Sequence, residues 1–171
     1  MKFNKVFFLV SVFALSAFKT VYDWQIRKDF QVKFTHEDAD GVFKKLEGKV
    51  VFDENHPENA VFDVAIEVKS VETGNPMRDE SIASDNWLNA EKYPYITFKS
   101  TGAVKGEEKW VTTGTLGLHG VEQPLALPFS FKTDADGALF EASFILKMAD
   151  FKLSDDPAET LLLEIRVPVE K

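Results

Sequence analysis

Three histidines, His36, His56 and His119, are the side chains best suited to metal or proton chemistry near neutral pH. Their separations are 20 and 63 residues, with no H-x-H or H-x-x-x-H pair, so spacing gives zinc binding no support. His56 stands in an Asn-His-Pro turn and reads as solvated. His119 stands in a Leu-His-Gly turn, where a ring nitrogen can hold the backbone. Cysteine is absent, which removes disulfides, zinc–thiolate sites, iron–sulfur clusters and thiol catalysis together. There is no G-x-S-x-G element, no S-x-x-K with its companion motifs and no phosphate-cradling glycine loop. Thr113-Gly114-Thr115-Leu116-Gly117 reads as strand built from small residues. Asp155-Asp156 before Pro157 reads as a solvated loop rather than a calcium site. Acidic residues number 28, and nothing in the pattern singles out a catalytic pair. The sequence therefore assigns no catalytic residue, no metal ligand and no cofactor. One charged cluster stands out: Arg78-Asp79-Glu80, after the turn Thr73-Gly74-Asn75-Pro76. It reads either as a surface group capping a short helix or as a polar group at the mouth of a cavity.

Whatever those residues do, 171 residues with one run of core-forming sequence hold them in a single domain. The net charge of −8 speaks against nucleic acid, whose phosphates need a basic face, and against adhesion to an anionic membrane surface. Met1 to Lys5 carries two lysines, and the apolar run Val6 to Ala17 follows. That is the layout of a secretory signal, and the run is too short for a membrane span, which takes roughly 20 residues. The expected organisation is a signal peptide over 1–17 and one domain over 18–171. Removing a leader with two lysines and no acid takes the charge from −8 to −10. The expected location is the periplasm or the exterior.

Beyond residue 18 the governing pattern is strict alternation, which predicts strands with one buried face. Phe62, Val64, Ile66 and Val68 interleave with Asp63, Ala65, Glu67 and Lys69. Phe30, Val32 and Phe34 share a phase, as do Ile96 and Phe98, then Leu125, Leu127, Phe129 and Phe131, and then Phe140, Phe144, Leu146 and Met148. The last strand carries Leu161, Leu163, Ile165, Val167 and Val169. Shorter candidates cover Tyr22–Arg27, Gly48–Phe52 and Trp110–Leu118, giving eight or nine strands. Polar turns at Asp53–Pro57, Gly102–Lys109 and Asp134–Gly137 predict antiparallel hairpins. Only Pro76 to Leu88 reads as helical. The fold class is all-β. So many antiparallel strands must hide their edges, as a barrel or as a sandwich, and alternation alone leaves both open. The 16 phenylalanines exceed what surface strands use. By pattern they are core, and in a closed barrel the same residues line whatever cavity remains.

Four ordered blocks carry a resemblance. They are Gly48-Lys49-Val50-Val51-Phe52-Asp53; Ser70-Val71-Glu72-Thr73-Gly74-Asn75 followed by Arg78-Asp79; the run Asp85 to Ser100; and Gly114-Thr115-Leu116-Gly117-Leu118-His119-Gly120-Val121 followed by Pro124. From about Tyr22 to Leu153 the chain resembles the YceI-like family of secreted polyisoprenoid-binding proteins. The resemblance implies an eight-stranded, antiparallel, lipocalin-like barrel with one short helix and an apolar tunnel. It implies a carrier, not an enzyme, whose partner is an isoprenoid lipid or quinone. The residues it points to as ligand-binding are Phe34, Phe52, Ile66, Val68, Phe98, Leu116, Leu118, Phe129, Phe131, Phe140 and Phe144, with Arg78 at the head group. Glu80 stands where the family commonly has histidine, and Gly117, Glu122 and Gln123 stand for threonine, threonine and lysine. With those groups gone, a neutral quinone-like head is expected to bind at least as well as a pyrophosphate. An enzyme acting on a lipid or quinone, and a filled barrel serving as an interaction module, are the competing readings. A homodimer is among the assemblies the sequence admits.

Overall fold

Alternation becomes a closed wall. Residues 23–171 are described by a computed structural model, and the leader expected over 1–17 lies outside them. The strands are β1 (Asp23–Ile26), β2 (Gln31–Thr35), β3 (Asp40–Phe43), β4 (Leu46–Val51), β5 (Val61–Glu67) and β6 (Val71–Glu72). After helix α1 (Pro76–Ala83) come β7 (Tyr95–Lys105), β8 (Trp110–Leu118), β9 (Val121–Thr133), β10 (Ala138–Lys147) and β11 (Thr160–Glu170). Single 3-10 turns occupy Pro57–Asn59, Val68–Ser70 and Met148–Phe151.

Eleven strand segments make eight staves, because three staves bend. β1 and β2 lie along the same edge of β11, with Ile26 opposite Val169 and Val32 opposite Ile165. β3 and β4 pair in turn with β2 and β1, and β6 and β5 pair with β3 and β4. Ser70 holds one bend: its Oγ accepts from the backbone N–H groups of Lys44 and Lys45 and donates to the Glu67 carbonyl at 2.6 Å. Every neighbouring pair is antiparallel, and the β1–β11 pairing closes the sheet. The architecture is a barrel and not a sandwich, with one helix.

Four expectations about elements need correction. The strand expected to run through Lys69 stops at Glu67, and Val68 opens a 3-10 turn whose N–H is taken by the Pro94 carbonyl. The helix stops at Ala83 rather than Leu88, since Ser84 leaves helical geometry and Leu88 N–H turns back to the Ile82 carbonyl. The stretch Gly102–Lys109 is not all turn. A bulge between Ser100 and Ala103 absorbs Gly102, and β7 continues to Lys105. Finally, the alternation predicts neither β3 nor β6, which are four and two residues long.

The start of α1 follows from its sequence. Asn75 Oδ1 accepts from the N–H groups of Met77 and Arg78, Pro76 takes the first helical position, and Asp79 accepts from Thr73 N–H and Oγ at 2.7 Å each. Asp79 thereby ties helix to strand. Gly48 has φ +134°, and a Cβ there would sit 2.2 Å from the Asp63 carbonyl oxygen. Because L side chains avoid that backbone region and the neighbour is main chain, Gly48→Ala is expected to lower unfolding free energy by more than about 1 kcal/mol in urea titration.

Candidate functional site

Side chains of the inward phase sort into two packed regions with a space between. At the lower end, where β1, the β7–β8 hairpin and the β9–β10 hairpin meet, aromatic rings form a floor. Phe52 is completely buried, and its ring lies 4.9–6.4 Å from those of Phe62, Trp110, Phe129, Phe131 and Phe140. Most of these contacts are edge-to-face, the arrangement the ring quadrupole favours. The indole N–H of Trp24 donates to the Phe52 carbonyl at 2.9 Å. This floor accounts for much of the phenylalanine excess.

At the upper end the long β6–β7 and β10–β11 connections fold over the barrel as a roof. Val68, Val71, Ile82, Leu88, Met148 and Phe151 are buried there in one cluster with the upper wall. His119 belongs to this roof. It has φ +51°, its Nδ1 lies 3.3 Å from the Phe151 carbonyl, and its ring packs edge-on against Tyr93. That is the backbone-holding role its turn implied. His56 is half exposed beside Glu58, and the largely buried His36 has Nε2 2.9 Å from Glu159 Oε1. Among the described residues no group of three His, Asp or Glu is placed to hold a metal ion.

Between floor and roof lies a cavity, with about 170 Å³ in which the centre of a water molecule fits. Its wall is almost wholly aliphatic and aromatic. The hollow shows in the side chains themselves: Phe62, Val64, Ile66, Leu125, Leu127, Phe144, Leu163 and Ile165 point inward yet stay partly exposed. Of the residues singled out from sequence, Phe34, Ile66, Phe98, Leu116, Leu118, Phe129, Phe140 and Phe144 line this cavity. Four do not. Phe52 and Phe131 lie in the floor, Val68 in the roof, and Arg78 on the exposed face of α1. Sequence reasoning missed Trp87 and Leu153, which reach the cavity from the roof, outside any alternating run. It also missed Thr112, whose Oγ lies 2.8 Å from both Ser100 Oγ and the Gly102 carbonyl at the β7 bulge. These buried hydroxyls satisfy one another, and among the described residues no fully buried side-chain polar atom lacks a partner. Glu141 touches its margin, with its carboxylate turned to Lys132 at 3.4 Å. Lys45, whose pKa is raised by the hydrogen bond and charge of Glu67, is on the outer surface.

These elements define a closed antiparallel barrel with an aromatic floor, a roof of loops and a hollow apolar interior. The chain belongs to the YceI-like family, whose domain profile matches residues 20–170. It is 36% identical over 122 residues to the UPF0312 protein plu2095 of Photorhabdus laumondii, and 34% identical over the same length to protein YceI of Salmonella arizonae. Each alignment covers 68% of this chain and 64% of the relative, so the match spans under two thirds of those proteins. The Campylobacter jejuni YceI crystal structure superposes with a TM-score of 0.67 at 29% identity, over 77% of this chain and 84% of that one. Burkholderia cenocepacia BcnA gives 0.79 at 21% identity, over 86% and 100%. A polyisoprenoid binding domain from Saccharophagus degradans gives 0.66 at 16%, over 86% and 97%. The last two show a shared fold.

Proposed function

We propose that this protein is a non-catalytic carrier that holds the tail of an isoprenoid lipid or isoprenoid quinone in the barrel. The observation that carries this reading is the cavity, set between floor and roof and lined almost wholly by aliphatic and aromatic side chains. Apolar cavities on the order of 150 Å³ stay dry and take up apolar molecules. Each methylene moved from water into such a wall contributes about 0.8 kcal/mol, so ten carbons give about 8 kcal/mol before immobilisation offsets part of it. No charged contact is needed for useful affinity. The binding named for the Saccharophagus domain supports the same ligand class here. An interaction module with a filled interior fits less well, because the interior is hollow. An enzyme fits less well, because the wall presents no unpaired titratable group. Export to the periplasm or exterior is part of the proposal and rests on Lys2, Lys5 and the apolar run after them. Among the described residues no helix is long and apolar enough to cross a membrane.

Mass spectrometry of an organic extract of the protein purified from its own host tests the reading. An isoprenoid in stoichiometric amount is expected, and an extract without lipid, from protein that also fails to take up added quinone, would overturn it. The head group is tested separately. Arg78 is exposed on α1 and lies outside the cavity wall. A quinone and a polyprenyl pyrophosphate of equal tail length are expected to bind within about tenfold of each other, a gap of 1.4 kcal/mol. A much tighter pyrophosphate, weakened to the quinone's level in Arg78→Ala, would show that the guanidinium grips an anionic head after all.

A further inference from the structure

The floor and roof leave the question of how a tail gets in, and the strand pairing answers it. β9 is laddered to β8 over residues 121–129, from Trp110–Phe129 to Leu118–Val121. β10 is laddered to β11 through all ten of its residues, Ala138–Val169 to Lys147–Thr160. Between β9 and β10, however, pairing runs only from Ala138–Thr133 to Ala142–Phe129. Above that point, among the described residues, no ladder joins residues 121–128 of β9 to residues 143–147 of β10. Pro124 and Pro128 have already removed two N–H donors from this part of β9, as proline does where a strand lacks a partner.

The gap is bounded, which makes it a window rather than a frayed end. Its sill is the Phe129–Ala142 pair. Its lintel is the 3-10 turn Met148–Phe151, folded back onto β9 and fastened where Gln123 Nε2 donates to the Asp150 carbonyl at 3.2 Å. Leu125 and Leu127 on one jamb, and Phe144 and Leu146 on the other, belong to the cavity wall. On the outer surface of β10, Ile145 is 68% exposed, an apolar side chain standing where outward positions are usually polar. Apolar side chains thus stand on both faces of β10 beside the gap, Ile145 outside and Phe144 and Leu146 inside.

We propose that this lateral window between β9 and β10 is the entry for the lipid tail, a step that rests on the carrier reading above. The tail passes edgewise between Leu127 and Phe144, and the Gln123–Asp150 hydrogen bond latches the upper margin. The floor need not unpack, and of the roof only the margin held by that hydrogen bond gives way.

The chain has no cysteine, so an introduced pair is unique. Ala126→Cys with Ile145→Cys places one thiol on each side of the window, to be joined by a short bis-maleimide. Lys132→Cys with Leu139→Cys, joined the same way, reinforces the existing ladder below the sill and serves as control. The probe is a quinone bearing two isoprene units, offered in lipid vesicles, and its uptake is followed by quenching of tryptophan fluorescence, Trp87 being in the wall. Linking across the window is expected to slow uptake about tenfold or more, whereas the control link leaves it unchanged, because a gate sets the rate. Gln123→Ala, which removes the latch without a cross-link, is expected to speed uptake at least about twofold. Uptake that is unchanged both by the window link and by Gln123→Ala would overturn the window and leave the carrier standing. No uptake in any protein, unmodified chain included, would overturn the carrier and the window together.

Discussion

Filling the cavity should sharply weaken binding while leaving the barrel intact. Ala142 is the small residue in the wall of β10, between Phe140 and Phe144 and opposite Phe129 and Ile165 in the ladders. Ala142→Phe places a ring in space that is now empty, so it displaces neither floor nor roof. Overpacking of a filled core costs about 1–3 kcal/mol, whereas filling a void commonly adds about 0.5–2 kcal/mol. The expected result is unfolding free energy equal to or above that of the unmodified protein, with quinone affinity reduced by about 100-fold, equivalent to 2.7 kcal/mol of lost contact. Equilibrium fluorescence titration and urea unfolding on the same preparation decide it. Strong destabilisation would mean that the space is packed in solution. Undiminished affinity would mean that the ligand sits elsewhere.

The opposite result is expected one layer lower. Phe52→Ala removes a fully buried side chain that touches five other rings. Such truncations cost about 3–5 kcal/mol, because the surroundings collapse only partly into the hole. For a domain of this size the melting temperature should fall by roughly 6–20 °C. Phe144→Ala should cost markedly less, since that ring is partly exposed to the cavity and already lacks neighbours on one side. Differential scanning calorimetry of the two variants separates floor from wall. Equal losses would mean that the distinction between them does not exist.

Much of this was legible beforehand, for a definite reason. A strand buried on one face must alternate, so Phe62–Val64–Ile66, Leu125–Leu127–Phe129 and Leu161 to Val169 announced their staves and their inward residues directly. Outward positions followed, and Lys99 with Asp63, Lys33 with Glu164 and Lys132 with Glu141 now pair across the outer surface. Alternation does not carry depth along the barrel. Phe131 and Phe129 share a phase, yet one lies in the floor and the other at the cavity's base. Val68 continued the β5 pattern by residue type and was diverted by a hydrogen bond to Pro94, twenty-six positions away. β3 is four residues long and starts Asp-Gly, too short for any period to register. Nor does a pattern within one strand say where pairing with its neighbour stops, and so the break between β9 and β10 left little trace beyond Pro124 and Pro128.

On the carrier reading, the aromatic floor would also act as a ruler. A chain sliding into the barrel would halt where its terminal methyl met Phe62, Phe129 and Phe140, at a depth set by rings held in place by Phe52 and Trp110. Every homologue of a given lipid series would then bury the same number of carbons, counted from the tail end. The surplus would lie outside the protein, and with it the head group. Affinity should rise with each isoprene unit until the measured depth is full and then stay level. What the protein recognises would be the last few units of the tail, whatever head it carries.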